Sequence, residues 1–290
     1  MGRIDTLLDQ CGSLSSAPVV IARVASMLSS GEYDPGEVEK LILADEAISA
    51  SVLRAVNSAQ YGVPGRVFDL REGIIRLGSN ALRQIVLQQK STEMFGEAGE
   101  AYGLRRQDLW RGAIGGAFAA EQIAEDRRVC DPGLAYVTGL LRDIGKLVVD
   151  AAMGAKAFRT TPAGVAPTGR FVEEERELLG VDHAELGAAL AERWGLPTRI
   201  CNAIKLHHSP APLGKPGADV LTDVVHAADF ITLWSGLCVG DDGLRYELAE
   251  HVRESLEFNR VAAERQLVET MVRIREMEDA ISDRPDRGAA

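Results

Sequence analysis

The segment Leu140-Leu141-Arg142-Asp143-Ile144-Gly145-Lys146-Leu147 sets a carboxylate among two cations inside an otherwise apolar run. A carboxylate there can ligate a metal. A guanidinium, protonated at any usable pH and lacking a free lone pair, cannot. A divalent ion about 4 Å from Arg142 would be repelled by roughly 8 kcal/mol at an effective dielectric near 20, before solvent relaxation or rotation of the side chain. Arg142 and Lys146 suit an anion better, for instance a nucleotide phosphate. All five histidines lie between positions 183 and 251. Each also has a structural reading: His183 bonding within a first helical turn behind Asp182, His207 and His208 complementing a helix C-terminus, His226 pairing with Asp229 one turn on, and His251 lying at the surface.

The elements that must position these groups read as helices throughout, because the apolar period is helical and the punctuation is cap chemistry. Asp34-Pro35-Gly36-Glu37, Asp69 with Glu72, and Asp182 with Glu185 have the form of capping boxes. The pattern predicts helices at about 3–10, 18–29, 35–44, 46–58, 70–77, 80–95, 107–125, 132–152, 173–179, 183–194, 198–207 and 218–235, with two more beyond Gly240. Residues 160–169, with two prolines and two glycines, read as an exposed loop, and 283–290 as a disordered tail. The expected fold is all-α and multi-helical. An N-terminal lobe (about 14–96) packs on a second lobe (about 104–235), with the junction near Gly96–Gly103 and a C-terminal helical extension at 240–282.

With 290 residues, 46% of them hydrophobic, the chain can build a real core. Its formal charge of −11 argues against general nucleic-acid binding. No apolar run approaches the roughly 18 residues of a membrane helix and no signal peptide is evident, so the expectation is a soluble, cytoplasmic protein without membrane insertion. Cys11, Cys130, Cys201 and Cys238 form no Cys-x-x-Cys pair and read as ordinary buried thiols.

The 140–147 run resembles the apolar-apolar-His-Asp-x-Gly-Lys motif of the HD superfamily of metal-dependent phosphohydrolases, with arginine in place of the histidine ligand. Farther afield, Arg54-Ala55-Val56-Asn57-Ser58-Ala59-Gln60-Tyr61-Gly62, Gly73-Ile74-Ile75-Arg76-Leu77-Gly78, Leu109-Trp110-Arg111, Glu177-Leu178-Leu179-Gly180-Val181-Asp182-His183, Trp194-Gly195-Leu196-Pro197, Ala203-Ile204-Lys205-Leu206-His207-His208 and Val225-His226-Ala227-Ala228-Asp229 occur in the order of the HDOD family. The chain is thus similar to these HD-related bacterial output domains over about residues 14–235. The resemblance implies that Gly112, Arg142, Asp143 and Asp229 stand at the core ligand positions of an HD enzyme, with His183, His207 and His208 at positions that could hold a second metal. The first two cannot ligate through their side chains, and the Gly-Tyr-Pro signature of the HD-GYP phosphodiesterases is absent. Gly112-Ala113-Ile114-Gly115-Gly116-Ala117 reads as a close-packing face. Asn57 reads as a cap for backbone carbonyls, and Tyr61 and Trp110 as packing residues.

The expectation is a non-catalytic bacterial signal-transduction module, not an enzyme, with no cofactor, acting on other signalling proteins and possessing a degenerate HD site. Two alternatives stand beside it: a residual hydrolase using one divalent metal ion on Asp143, His183, His207, His208 and Asp229, and a nucleotide or anion sensor acting through Arg142 and Lys146. The helices beyond residue 240 carry a thin apolar stripe suited to docking on the body, with homodimerisation as the other use.

Overall fold

The computed structural model describes residues 2–11, 21, 23, 39–40, 42–43, 46–57, 67–96, 98–105, 107–154, 171–237 and 247–282. Among these residues every regular element is helical: α1 (Arg3–Gln10), α2 (Glu46–Val56), α3 (Leu70–Phe95), α4 (Asp108–Arg127), α5 (Pro132–Leu141), α6 (Gly145–Met153), α7 (Phe171–Leu179), α8 (His183–Arg193), α9 (Thr198–Leu206), α10 (Val220–Trp234), α11 (Glu250–Ser255) and α12 (Arg260–Ser282), with a short 3-10 turn at Glu100–Tyr102. The all-α class therefore holds. The predicted helix at 18–29, most of that at 35–44 with its Asp34 box, Ser58 and Tyr61, the 160–169 loop, Cys238 and the 283–290 tail lie outside the described residues.

Local chemistry accounts for where several helices start. The Asp69 carboxylate accepts from Glu72 N–H at 2.9 Å, and Asp182 accepts from Glu185 N–H at 2.8 Å while Glu185 reaches back to Asp182 N–H. Asp131 caps α5 by accepting from Leu134 N–H at 2.7 Å, with Pro132 opening the first turn. Within α3, Gly78 takes φ 72°, a left-handed conformation that glycine adopts without a Cβ clash, so the helix bends where the sequence predicts one helix ending at 77 and the next starting at 80.

The predicted single helix at 132–152 is instead two, α5 and α6, joined by Arg142–Ile144. Ile144 N–H bonds to Leu141 C=O and Leu147 N–H to Ile144 C=O, three residues back rather than four, so the chain tightens and changes direction. The apolar period runs on through both halves, which hides the break in the sequence. Because of the turn, Arg142 and Asp143 project into the protein from a corner.

The core spans α1, the end of α3 and α4–α12, and a smaller cluster is formed by Ile42, Ile48, Val52, Ile74, Leu82, Ile85 and Val86. α4 and α5 pack closely: a Cβ on Gly139 would stand 2.5 Å from Gly116 O and 2.9 Å from Ala120 Cβ. The small residues of the 112–120 segment thus allow the close packing their composition suggests. Asn57 acts as the expected cap and also as a tie, donating to Leu53 C=O and Val67 C=O and accepting from Val67 N–H, each at 2.8 Å. Trp110 is buried, and Cys11 and Cys201 are buried free thiols, whereas Cys130 is half-buried.

α12 docks on the body. Ala263, Gln266, Thr270, Ile274 and Met277 are buried, and Arg111–Glu278 (2.6 Å), Gln266–Asp126 (2.8 Å) and Arg273–Glu121 (2.6 Å) flank the seam on α4. Among the described residues no helix is long and apolar enough to cross a membrane.

Candidate functional site

Five parts of the chain converge here: α4 with Gly112, the α5–α6 corner with Arg142 and Asp143, the start of α8 with His183, the end of α9 with His207 and His208, and α10 with Asp229. Their approach requires small residues. A Cβ on Gly145 would lie 1.8 Å from His183 O and 2.6 Å from Gly187 N, so α6 meets α8 backbone to backbone, which brings His183 over Asp143.

Arg142 is the largest fully buried side chain, 1% exposed. Its Nε donates to Asp229 Oδ1 at 2.8 Å and its Nη2 lies 3.2 Å from Asp143 Oδ2. Nη1 donates to Gly112 C=O at 3.1 Å and Gly139 C=O at 2.9 Å. The guanidinium therefore spans the two carboxylates and also meets the backbone of the glycine at the remaining core position. Such bonds between a planar guanidinium and carboxylates are the strong, directional kind.

Lys146 Nζ approaches Asp143 Oδ1 to 2.8 Å, oriented as an ion pair rather than a directed hydrogen bond. Burial pushes the Asp143 carboxyl up, but Lys146, Arg142, His183 and His207 outweigh it and hold the group well below the usual carboxylate range.

The histidines do not follow their simplest sequence readings. His183 N–H donates to Glu175 Oε2 at 2.7 Å and its Nδ1 lies 2.8 Å from the same oxygen, so the ring turns away from its own first turn. Burial lowers the His183 pKa, yet the Glu175 carboxylate more than compensates and it ends above its ordinary value. His183 Nε2 is 2.8 Å from His208 Nε2; with His183 charged it donates this bond, and His208, held well below its ordinary value by burial and by its two histidine neighbours, accepts it. His207 Nδ1 stands 2.6 Å from Ile204 C=O and donates to it, which puts the Nε2 lone pair on the other side of the ring. It is fully buried and held down at about 4, so it does not serve as a charged complement to the α9 dipole.

His226 and Asp229 do not pair by hydrogen bonding. His226 Nδ1 bonds His207 C=O at 2.6 Å and its Nε2 accepts from Ala249 N–H at 3.0 Å, while Asp229 turns to Arg142. Nor is His251 a surface residue: it is half-buried on α11.

Arg142, Asp143, Lys146, His183, His207, His208 and Asp229, with Gly112 through its carbonyl, are thus gathered in one place. Three participants are not apparent from motif reading. Glu175, completely buried, orients His183 and accepts from Tyr102 Oη at 2.6 Å. It sits in the run Glu173-Glu174-Glu175, which reads as a solvated face, although Val172, Glu175 and Leu179 have the spacing of an inward stripe. The third is Gly116, where a Cβ would stand 1.9 Å from Arg142 Nη1 and 2.6 Å from its Cζ.

Gly116→Ala is accordingly expected to cost about 2 kcal/mol, at the upper part of the range for overpacking a core, because it drives the head group off its partners. The same change in an Arg142→His background should cost less than half as much, since the guanidinium is gone. Urea denaturation of the four proteins measures this, and equal costs in the two backgrounds would show that Gly116 serves something other than Arg142.

In charge the cluster faces inward: Arg142, Lys146 and His183, whose pKa the Glu175 carboxylate raises against burial, face Asp143, Asp229 and Glu175. The HD metal set fits poorly here, because the guanidinium lies between the two aspartates that would serve as ligands. The three imidazoles alone retain suitable spacing, with one ligand nitrogen from each of His183, His207 and His208 all within 4.8 Å of one another. An ion there would have to displace the proton between His183 and His208 and add charge to the cluster.

This is an all-α protein with a buried cluster of charged and histidine side chains at the α5–α6 corner. The family model described as HDOD domain matches residues 14–210, and the chain belongs to the HDOD family. An HDOD domain protein of unknown function from Geobacter sulfurreducens has the same fold: TM-score 0.71 at 24% identity, covering 97% of this chain and 98% of that one. A Shewanella amazonensis SB2B protein provisionally named a phosphohydrolase is similar at TM-score 0.60 and 24% identity, covering 90% and 97% of the two chains. A curated relative, an uncharacterised protein of Treponema pallidum (strain Nichols), is 25% identical over 217 residues, 70% of this chain. The chain spans about two-fifths of that relative's length, 39%.

Proposed function

We propose that this protein is a non-catalytic signalling module, an HDOD domain in which the pocket of a phosphohydrolase has become an internal ionic core. The observation that carries the reading is the Arg142 guanidinium spanning Asp143 and Asp229. Metal-assisted hydrolysis needs a cation that polarises the substrate and activates water, with an open coordination position. A guanidinium supplies charge but neither. Closed at 1% exposure, it also has no access to a substrate. The same closure weighs against the anion-sensor reading, since Arg142 spends its donors on carboxylates and carbonyls inside the protein. What remains useful is the outer surface of a rigid helical body, and the partners we infer are other signalling proteins, their class set by family alone.

Elemental analysis of protein purified and then incubated with iron, manganese or zinc is the test, combined with an assay against cyclic dinucleotides. The expected result is substoichiometric metal and no hydrolysis. A stoichiometric ion together with hydrolysis would overturn the proposal. The second reading, one ion on His183, His207 and His208, rests on their spacing. It predicts a stoichiometric ion that is lost in His208→Ala.

A further inference from the structure

α12 carries a second apolar line besides the one that docks on the body. Two of the residues it buries, Gln266 and Thr270, are polar, whereas Val261, Val268, Met271 and Val272 are 38–74% exposed. A helix that only covered a core would turn its large apolar side chains inward and polar ones outward. Apolar residues gathered along one exposed line mark a contact surface. Val261, Glu264, Val268, Met271, Arg275 and Glu278 follow one another at alternating steps of three and four residues, the spacing of a helix-packing seam.

The charges on this line select its occupant. When a second copy lies antiparallel with its Met271 opposite Val268, Glu264 meets Arg275 of that copy, and the two-fold symmetry repeats both contacts. The end layers set Val261 against the stem of Glu278, whose charge Arg111 already offsets at 2.6 Å. A parallel pairing does the reverse, placing Glu264 on Glu264 and Arg275 on Arg275, and like charges disfavour it. Both charged groups are open to the antiparallel use. Arg275 is exposed and makes no ion pair among the described residues. Glu264 is held by Arg260 at 2.7 Å, an exposed i,i+4 pair of the kind that contributes little and is readily exchanged.

We propose that the outer line of α12 is a homodimer interface, in which two copies of this chain pair antiparallel through central Val268–Met271 layers flanked by Glu264–Arg275 ion pairs. Val272, next to Met271, adds apolar contact at the shoulder of the seam. From Val261 to Glu278 the seam is about 26 Å long at 1.5 Å per residue. One helix against one helix over that length is a small interface, so the dimer forms in the micromolar range and exchanges. Because the other face of α12 is tied to α4, pairing joins two bodies through their C-terminal helices. Dimerisation and hydrolysis are separate readouts, so the pairing stands or falls independently of the Arg142 pocket.

Sedimentation velocity on the full chain from about 1 to about 100 µM, concentrations that bracket a micromolar dissociation constant, tests it. The average mass should rise from monomer toward dimer. Val268→Glu, an exposed change whose folding circular dichroism checks, should weaken the dimer about tenfold or more by burying a charge at the centre of the seam. Glu264→Arg and Arg275→Glu should each do the same, since either one sets two like-charge layers in the interface. The double variant Glu264→Arg/Arg275→Glu should regain most of the parent affinity, and an equal mixture of the two single variants should dimerise. If Val268→Glu fails to fold, the charge variants at their exposed positions still decide. A monomer throughout the range overturns the proposal. So does a dimer indifferent to all three single changes, which would place the contact on another face, and so does a double variant that dimerises no better than the singles.

Discussion

Arg142→Ala is expected to lower the unfolding free energy by about 3–5 kcal/mol, the range for removing one partner of a buried ion pair. The loss has three parts, and the electrostatic one dominates. Asp143 keeps Lys146 at 2.8 Å, but Asp229 loses the 2.8 Å bond from Arg142 Nε and is left 2% exposed. His208 Nδ1 is 3.8 Å from Asp229 Oδ2, too far for a hydrogen bond. The carbonyls of Gly112 and Gly139 each lose a donor, and the volume of a fully buried arginine is left empty. Because the stranded charge is mainly Asp229, the double variant Arg142→Ala/Asp229→Asn should be more stable than Arg142→Ala alone by 1 kcal/mol or more, on the order of the penalty for one uncompensated buried charge. Arg142→Lys should fall between, since an ammonium cannot reach both carboxylates and both carbonyls from one position. Chemical denaturation of the four proteins measures these differences. A cost for Arg142→Ala within about 1 kcal/mol of zero, the size of an ordinary surface ion pair, would show that the guanidinium is not holding the corner.

The sequence made the parts of this cluster legible but not their partners. Arg142 as a non-ligand follows from its chemistry, and Asp182–Glu185, Asp69 and Gly78 announce their helix boundaries because caps and bends depend on adjacent residues. Where the outcome depends on contacts between distant segments, the signal fades. His226 and Asp229 have the spacing to pair, yet each finds a better partner from another element, Ala249 and Arg142. The α5–α6 break is invisible because both halves bury the same kind of face. Glu175 is obscured by two acidic neighbours, and Gly116 looks like any other small residue of α4 until Arg142 is placed beside it. Residues that make room or orient others leave little mark on a motif, since what they supply is space or direction rather than a reactive group.

Acidification from pH 7 to about 4.5 should destabilise the protein well before its carboxylates titrate, and the sign comes from the histidines. His207 is held down at about 4 from an ordinary value of 6.5, so the unfolded chain takes up the proton first. Its contribution is complete above the unfolded value and is lost as the pH falls from about 6.5 toward 4, amounting to about 3 kcal/mol at 1.36 kcal/mol per unit. Burial depresses His208 and His226 in the same direction. His183, raised by Glu175, acts oppositely: its contribution is present below the unfolded value and is lost as the pH rises through its folded one. The Asp143 and Glu175 carboxyls, both lowered, keep their contributions until the pH falls below the ordinary carboxylate range. Three depressed histidines against one raised leave a net loss of stability between about pH 6.5 and 4. His226 links that loss to the C-terminal extension, because a proton on Nε2 would set N–H against Ala249 N–H and break the 3.0 Å bond. Hydrogen exchange should therefore show α11 and α12 losing protection along with the cluster on acidification. His207→Gln should flatten the stability profile over that interval, whereas a profile already flat in the parent protein, or one rising toward pH 4.5, would mean these imidazoles are not held neutral by the fold.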